Sequence, residues 1–217
     1  MRKAIFSSLA LAVCTAGAHA TLIFASAEAP SVTFPEGPAV EAQQFVGARF
    51  MITSAVQVTA IGGFFAAFGG QDTDMFGMIM SLDSLSSLPT GDPFDAADLA
   101  RVKVSTVATV SAVAAMEYQF PASTLLEPGA YGLIFGKGQF GATPGGIAVA
   151  KGGFPSLSPD SMFWNDVTAT VWRDEGFVSH WRLTVYGDAV PEPSAAVCAL
   201  LGIFPLALRR LRADAPA

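Results

Sequence analysis

The chain is poor in cysteine and histidine. It has 217 residues with two cysteines, Cys14 and Cys198, and two histidines, of which only His180 lies in the long middle region, residues 21–187. Because this region has no cysteine, it has no disulfide to hold it and depends on its core. It also lacks the ligands of a His/Cys zinc cluster and the residue pair needed for Cys–His catalysis.

Basic residues are scarce as well. Residues 21–187 contain seven Lys and Arg side chains against fifteen Asp and Glu side chains, and the basic ones form no cluster. A basic patch is what attracts nucleic acid and anionic lipid headgroups, so we expect neither to be a partner. The excess of acidic residues is typical of a soluble, non-adhesive exterior.

Signatures of catalysis are also absent. No serine lies in a glycine-flanked nucleophile elbow, so a Ser-His-Asp triad built on His180 is disfavoured, and we expect this histidine to be a surface residue. Paired carboxylates can hydrolyse a glycoside without histidine. Most acidic residues, however, fall in predicted turns, where solvation explains them: Asp92, Asp95, Asp98, Asp160, Asp174 and Glu175. We expect no catalytic residue, no cofactor and no metal, and therefore a protein that is not an enzyme.

Asp72 and Asp74 form the one acidic pair with a spacing of interest. They lie in the stretch Gly69-Gly70-Gln71-Asp72-Thr73-Asp74, whose spacing of two is similar to the start of a calcium-binding loop. The later glycine and the closing glutamate of such a loop are missing. A hairpin loop with exposed carboxylates is therefore the favoured interpretation.

The N-terminal residues, 1–20, have the three parts of a secretory signal peptide. Arg2 and Lys3 are followed by an apolar stretch, Ala4–Ala16, and then by small residues at Ala18 and Ala20. A signal peptidase reads small residues at these two positions, so we expect cleavage after Ala20 and an exported chain that begins at residue 21. The apolar stretch is too short for a spanning helix.

The C-terminal residues, 188–217, contain a proline-rich motif, an apolar stretch and a basic end. These are Val190-Pro191-Glu192-Pro193, Ala195–Leu208, and Arg209, Arg210 and Arg212. Basic residues after an apolar segment stop transfer and stay in the cytoplasm, so we expect the tail to hold the body outside the inner membrane. The apolar helix reaches only about 21 Å against a hydrocarbon core of about 30 Å.

This order of motif, apolar helix and arginines resembles a PEP-CTERM sorting signal. Such tails belong to Gram-negative bacteria that make extracellular polysaccharide. The resemblance implies that Val190, Pro191, Glu192 and Pro193 are recognised by an exosortase, a membrane enzyme that processes the tail. The body would then be released from the inner membrane to the outer envelope or the extracellular matrix. A permanent anchor that is never cleaved is the alternative.

The middle region, residues 21–187, is typical of one all-β domain. Short apolar or alternating segments are separated by Gly and Pro turns, which predicts an antiparallel, jelly-roll-like β-sandwich flanked by a signal helix and a C-terminal apolar helix. The predicted strands are Thr21–Ala27, Gln44–Ile52, Ala55–Phe65, Met75–Leu82, Ala100–Val107, Glu117–Phe120, Gly129–Phe135 and His180–Tyr186, with one helical turn in Pro93–Leu99. In residues 50–63, 126–136 and 181–187 the region is loosely similar to adhesin-like or carbohydrate-binding-like domains.

Three tryptophans are the remaining feature of interest. Trp164, Trp172 and Trp181 lie among polar residues, and aromatic rings beside polar groups can stack on sugars. The same residues would fill a sandwich core, which is the preferred interpretation. We therefore expect a structural or adhesive exported protein linked to exopolysaccharide. A carbohydrate-binding module that uses these tryptophans is the alternative, and a glycoside hydrolase comes third.

Overall fold

The computed structural model describes residues 20–30, 37–152, 161–166, 169–176 and 181–190. Twelve strands and one short helix make up this part of the chain. They are β1 (Thr21–Ala25), β2 (Ala39–Val40), β3 (Gln44–Ile52), β4 (Val56–Phe68), β5 (Thr73–Leu82), α1 (Ala96–Ala100), β6 (Val102–Val110), β7 (Met116–Leu126), β8 (Gly129–Gly136), β9 (Ile147–Lys151), β10 (Ser161–Asn165), β11 (Ala169–Gly176) and β12 (Leu183–Ala189).

The strands form two antiparallel sheets of six strands each. In the first sheet the order is β1-β12-β4-β9-β2, and β7 pairs with the other edge of β4. In the second sheet the order is β11-β10-β3-β8-β5-β6. The chain crosses from one sheet to the other at most connections, so the faces of the two sheets are brought together. The predicted all-β, antiparallel sandwich is confirmed.

The predicted strands match observed ones, with shifted ends. Gln44–Ile52 is observed unchanged as β3, while β4 continues to Phe68 and β7 continues to Leu126. The prediction of a strand at His180–Tyr186 is wrong at its start, because β12 begins at Leu183. The predicted helical turn is α1, whose N-cap Asp95 accepts a hydrogen bond from the Asp98 backbone amide. The sequence prediction missed β2, β9, β10 and β11.

The inner core lies between the two sheets. It contains side chains from both, such as Ile61 and Phe65 of β4 and Leu133 and Phe135 of β8. The Phe65 and Phe135 rings approach to 5.0 Å between centroids across the sandwich. Each buried aliphatic or aromatic side chain of this kind stabilises the fold by about 1.5–3 kcal/mol relative to its exposed state. This core makes the sandwich one folded unit.

An outer core covers the opposite face of the second sheet. Side chains of β3, β5, β8, β10 and β11 contribute Phe45, Phe76, Ile134, Met162, Trp164 and Trp172. The connection between β5 and β6, residues 83–101, folds back over them and packs Leu85, Leu88 and Phe94 against this face. The central strands β3, β5 and β8 are therefore buried on both faces, whereas β6 at the edge alternates between half-buried and exposed residues.

The register of the strands defines two ends of the sandwich. At the first end Val56, which begins β4, pairs with Ala189 and Leu126, so β4 begins where β12 and β7 end. We call this end the terminal pole, because Thr21 of β1 pairs there with Gly187. At the other end, the loop pole, β4 ends at Phe68, which pairs with Ile147 of β9. At about 3.3 Å per residue, β4 separates the poles by about 40 Å.

The two predicted flanking helices lie outside the described residues, as do residues 1–19 and 191–217. Within the part of the chain that the structure describes, no helix has the length and apolar character needed to span a membrane.

Candidate functional site

The loop pole carries an open, polar pocket of about 350 Å³. Its wall comes from the connection between β4 and β5 and from the connection between β8 and β9. The lining residues are Phe68, Gly69, Gln71, Asp72, Thr73, Asp74, Thr143, Gly145 and Gly146. A volume of this size is at the small end of the range for ligand pockets, which is about 300–1,000 Å³.

Glycine makes the pocket wall possible. Gly69 and Gly70 have φ angles of +89° and +76°, a left-handed conformation in which side chains are strained, and they turn the chain from β4 to β5. Gly146 has a φ of +76°, and a Cβ there would lie 2.4 Å from Thr73 Oγ1. This close approach allows Thr73 Oγ1 to donate a hydrogen bond to the Gly145 carbonyl oxygen at 3.1 Å.

Lys137, at the start of the connection from β8 to β9, bonds to the start of β5 and so joins the two sides of the pocket. Its side chain is fully buried, and Nζ donates hydrogen bonds to Thr73 Oγ1 and to the Asp74 carbonyl oxygen. Burial lowers the pKa of Lys137 from its ordinary value of 10.5, and the negative charge of Asp74 opposes this shift. A lysine is rarely buried without a partner, so these bonds position the loop on which the pocket depends.

The two pocket carboxylates are held by groups at the end of β6. Asp74 Oδ1 accepts a hydrogen bond from Thr109 Oγ1 at 2.8 Å. Asp72 Oδ1 accepts one from the Ala112 backbone amide, also at 2.8 Å. A carboxylate has about four lone-pair sites. One bond to each therefore fixes its orientation and leaves capacity to accept hydrogen bonds from a ligand.

The described residues around these carboxylates offer few ligands to a divalent cation. Calcium takes about six to eight oxygen ligands, and this pocket has two carboxylates. The Lys137 ammonium, which donates to the Asp74 carbonyl oxygen, adds a positive charge nearby. Among the described residues, no group of three or more His, Cys, Asp and Glu side chains is placed to hold a metal ion. The arrangement suits a neutral, hydroxyl-bearing ligand better.

A second polar constellation crosses the outer face of the first sheet. Glu117 of β7 accepts hydrogen bonds from Arg182 Nε at 2.7 Å and from the Tyr186 hydroxyl at 2.8 Å. Burial, followed by the hydrogen bond to Glu117 and its charge, raises the pKa of Tyr186 above 10.0. The side chains of Glu117, Arg182 and Tyr186 meet over β4 near Gly62, which has no side chain to separate them. Since these groups satisfy each other, the network stabilises the sheet.

The structure corrects the proposed tryptophan platform. Trp164, Trp172 and Trp181 are only 4%, 6% and 5% exposed, so none of them offers a ring face to a ligand. Trp172 Nε1 donates to the Pro93 carbonyl oxygen at 2.6 Å, and Trp181 Nε1 donates to the Gly47 carbonyl oxygen at 3.1 Å. They fill the cores because most of the ring surface is apolar and the N–H groups of these two have backbone partners. Trp164 has no hydrogen-bond partner for Nε1 in the described part of the chain.

Two acidic residues that were expected to be solvated in turns instead bind other groups of the protein. Asp98 is 3% exposed, and its carboxylate accepts hydrogen bonds from the backbone amides of Thr90 and Gly91 at 3.0 and 2.9 Å. Asp174 lies in β11, not in a turn, and forms an ion pair with the buried Arg49 at 2.8 Å. The Asp98 bonds close one connection, between residues seven and eight apart, whereas the Arg49–Asp174 pair joins segments 125 residues apart, which local composition does not predict.

The remaining predicted site residues lie mostly outside the described residues. These are Ala18 of the signal cleavage site, Pro191, Glu192 and Pro193 of the motif, Arg209, Arg210 and Arg212 of the basic end, and His180. Ala20 is described and exposed. Val190, the first residue of the motif, donates a backbone hydrogen bond to the Ala55 carbonyl oxygen at 2.9 Å. The motif therefore begins where pairing with the body ends.

Sequence reasoning did not find the loop-pole pocket. Its two sides are more than 70 residues apart in the chain, as the bond between Thr73 and Gly145 shows. The available signal was the pair of glycine doublets, Gly69-Gly70 and Gly145-Gly146, both of which line or border the pocket. Comparisons with protein-family models, with curated proteins and with solved structures find no match to this chain.

Proposed function

We propose that this chain is an exported cell-envelope or extracellular-matrix protein of a Gram-negative bacterium. In this proposal signal peptidase removes residues 1–20, the C-terminal apolar segment holds the body at the outer side of the inner membrane, and an exosortase recognises Val190-Pro191-Glu192-Pro193 and releases it. The role is structural or adhesive and linked to exopolysaccharide, with no catalytic step. The resemblance of the tail to a PEP-CTERM signal is the basis for the sorting step.

One structural observation carries the proposal. Thr21 and Gly187 pair in neighbouring strands, so the first residue after the predicted signal and the last residues before the predicted motif leave the sandwich together. The predicted tail attachment therefore starts from the terminal pole. A body held by the tail would present its loop pole away from the bilayer, which is the arrangement that a tethered adhesive protein needs.

The strand order supports the jelly-roll assignment that belongs to this proposal. Eight principal strands have the order β1-β12-β4-β7 in one sheet and β3-β8-β5-β6 in the other. In chain order, this is the arrangement of two Greek keys wrapped into a jelly roll, with β2, β9, β10 and β11 as additions. Jelly rolls include lectin domains, so the analogy is compatible with binding and assigns no activity.

Mass spectrometry of the mature protein extracted from its native host tests the sorting step. The expected products begin at residue 21 and end between residues 190 and 194. P191A/P193A, which removes both motif prolines, should retain the tail, while P205A, a proline substitution outside the motif, should be processed normally. A C-terminus at residue 217 in every extracted wild-type molecule would leave only a permanent anchor.

A carbohydrate-binding module remains the second candidate function, but we do not expect the buried tryptophans to form its site. The variants Trp164→Phe and Trp172→Phe test whether the tryptophans contact glycan. They keep the core filled, whereas alanine variants would damage it. Full glycan retention by both variants is expected, because the rings are buried. Loss of retention by these variants at unchanged stability would restore the tryptophans as a glycan site.

A glycoside hydrolase is the third candidate, and the pocket gives it a definite test. Asp72 and Asp74 are two carboxylates that line one pocket, and glycoside hydrolases use two carboxylates that flank the scissile bond. We expect no turnover when the wild-type protein is incubated with the polysaccharides of its host. Turnover that disappears in both D72N and D74N would establish the hydrolase in place of the binding role.

A further inference from the structure

We infer that the loop-pole pocket binds a neutral sugar unit of an extracellular polysaccharide, with the Phe68 ring stacked on the sugar and Asp72 and Asp74 accepting hydrogen bonds from its hydroxyls. This inference rests on the proposed function for the class of polymer that the protein meets. It assigns the contact to a site that the sequence did not indicate.

Phe68 supplies the apolar surface that a sugar ring needs. It is the last residue of β4, it lines the pocket, and it is 61% exposed, whereas every tryptophan among the described residues is buried. A single exposed apolar side chain is common on a protein surface. Phe68 differs from the other exposed apolar residues because it lines the pocket together with convergent polar groups, which is the usual composition of a ligand site. The C–H face of a pyranose ring packs against an aromatic face, while its hydroxyls remain free for hydrogen bonds.

The connection from β4 to β5 and the start of β5, which follow Phe68, supply the acceptors. Asp72 and Asp74 are each oriented by one internal hydrogen bond at 2.8 Å, to the Ala112 amide and the Thr109 hydroxyl. Their remaining lone pairs can accept the hydroxyl protons of a sugar, and the Gln71 amide in the same connection can both donate and accept. Sugar hydroxyls lose hydrogen bonds to water on binding, so acceptors held in advance reduce the cost of binding.

The charges and ligands of the pocket disfavour other simple occupants. The two carboxylates repel an anion such as phosphate. No group of three or more His, Cys, Asp and Glu side chains in the described part of the chain could hold a metal ion. A neutral polyol meets no charge repulsion and can donate hydroxyl protons to both carboxylates. The small volume, about 350 Å³, limits the contact to a short stretch of the polymer.

The position of the pocket suits a polymeric ligand. It lies at the end of β4 that is opposite to Thr21 and Gly187, so a chain held at the terminal pole presents it outward. A single shallow site binds weakly. Many tethered copies that contact one repeating polymer nevertheless gain avidity of about 10²–10⁴ over the single site. We therefore expect weak binding in solution and strong retention on a surface.

The test measures retention of polysaccharide purified from the host on immobilised full-length protein. F68A should weaken binding by about tenfold, as expected for losing an aromatic contact, and D72N should weaken it in the same direction. The matched control is L125A, which removes a 47% exposed apolar side chain at the terminal pole and should bind as wild type does. Thermal unfolding of F68A and L125A should match that of wild type, so weaker binding cannot come from misfolding.

Three results would overturn the inference: equal retention by F68A and L125A, no retention by wild type, or stabilisation of wild type by calcium chloride that D72N abolishes. The last result would make the carboxylates a metal site. Failure of the inference is separable from failure of the proposed function, because tail processing is measured independently by mass. If the tail is processed normally and F68A retains polysaccharide as well as wild type does, the sugar site is refuted and the proposed function stands.

Discussion

The terminal pole and the loop pole of the same sandwich differ in the backbone that connects their strands. At the terminal pole, two-residue and three-residue turns join β7 to β8 and β3 to β4, and Thr21 pairs with Gly187. The long connection 83–101 also starts there, after Leu82, and folds back over the outer core. The connections at the loop pole are residues 69–72, 111–115 and 137–146. Six of their residues have positive φ angles: Phe140 and the glycines Gly69, Gly70, Gly138, Gly141 and Gly146.

Under the proposed function, this difference would separate attachment from recognition in one small domain. The terminal pole is fixed by regular pairing up to Val190, whereas the loop pole depends on left-handed glycines and on the buried Lys137. Substitutions in the loops can change the pocket without changing the strands that carry the ends. The inner core lies between the poles and gives both the same rigid support.

The largest contrast is expected between a buried aromatic residue of the outer core and an exposed one at the loop pole. Trp172→Ala should lower the free energy of unfolding by about 3–5 kcal/mol, because it opens a cavity in the outer core and removes the bond to the Pro93 carbonyl oxygen. F68A should change it by less than about 0.5 kcal/mol. Urea unfolding followed by circular dichroism measures both, and similar losses would refute the division between core and exposed loop pole.

The second contrast compares two glycines. A Cβ at Gly62, in the middle of β4, would lie 2.0 Å from the Tyr118 carbonyl oxygen, whereas a Cβ at Gly145 meets nothing within 4 Å. G62A should therefore cost about 3 kcal/mol, because backbone atoms of β7 must move. G145A should stay within about 0.5 kcal/mol of wild type. Equal melting temperatures for the two variants would show that β4 and β7 are not packed as closely as described.

The third contrast concerns the pH dependence of stability and tests one residue of the loop pole, Lys137. Because the pKa of Lys137 is lowered by burial, the folded state binds fewer protons than the unfolded state between the lowered value and 10.5. Stability should therefore rise with pH through this window, and the rise should be missing in K137M. Tyr131 and Tyr186 have raised pKa values and act in the opposite direction above pH 10.0. They are present in both proteins, so the difference between wild type and K137M reports Lys137.

Urea unfolding of both proteins at several pH values up to 10.5 measures this difference. A difference in stability that does not change with pH would contradict the burial of Lys137 as an ammonium group.

The smallest effect is expected on the outer face of the first sheet. E117Q removes the negative charge beside the Tyr186 hydroxyl, so the pKa of Tyr186 should move back toward 10.0. Tyr131 is the internal control, because burial and then Glu127 raise its pKa. Alkaline titration followed by tyrosine NMR resonances separates the two. If Tyr186 titrates identically in wild type and E117Q, Glu117 is not its partner.

Much of the fold follows from local sequence. The alternation in Val56–Ile61 and the turns at Pro128-Gly129 and Gly69-Gly70 predicted β4 and β8, because one strand face must be buried. They predicted β5 only from Met75 and β7 only over Glu117–Phe120. β9 was missed because Ile147–Lys151 is short and lies between two glycine doublets. β10 and β11 carry polar residues beside tryptophans. These two segments form strands because they pack into the outer core, and that core exists only in the folded chain.

The candidate site was less accessible to prediction than the fold. The residues of the pocket come from two connections that meet only after both sheets have formed, and spacing does not encode such contacts. The tryptophans attracted attention because they are large and lie near polar groups. Their burial in the core was the preferred prediction and is confirmed. The segment that packs over the outer core, residues 83–101, is distant in sequence, and this packing was not predicted.

The most direct test of the account is the orientation of the body on a membrane. In a chain with C14S and C198S, a fluorescent probe is attached at V113C in the loop pole or at L125C in the terminal pole, both exposed positions. These positions are about 33–40 Å apart along β7 and the loop before it. With the tail inserted in vesicles that contain nitroxide lipids, the account predicts strong quenching at position 125 and little at 113. Equal quenching at both positions, or stronger quenching at 113, would contradict it.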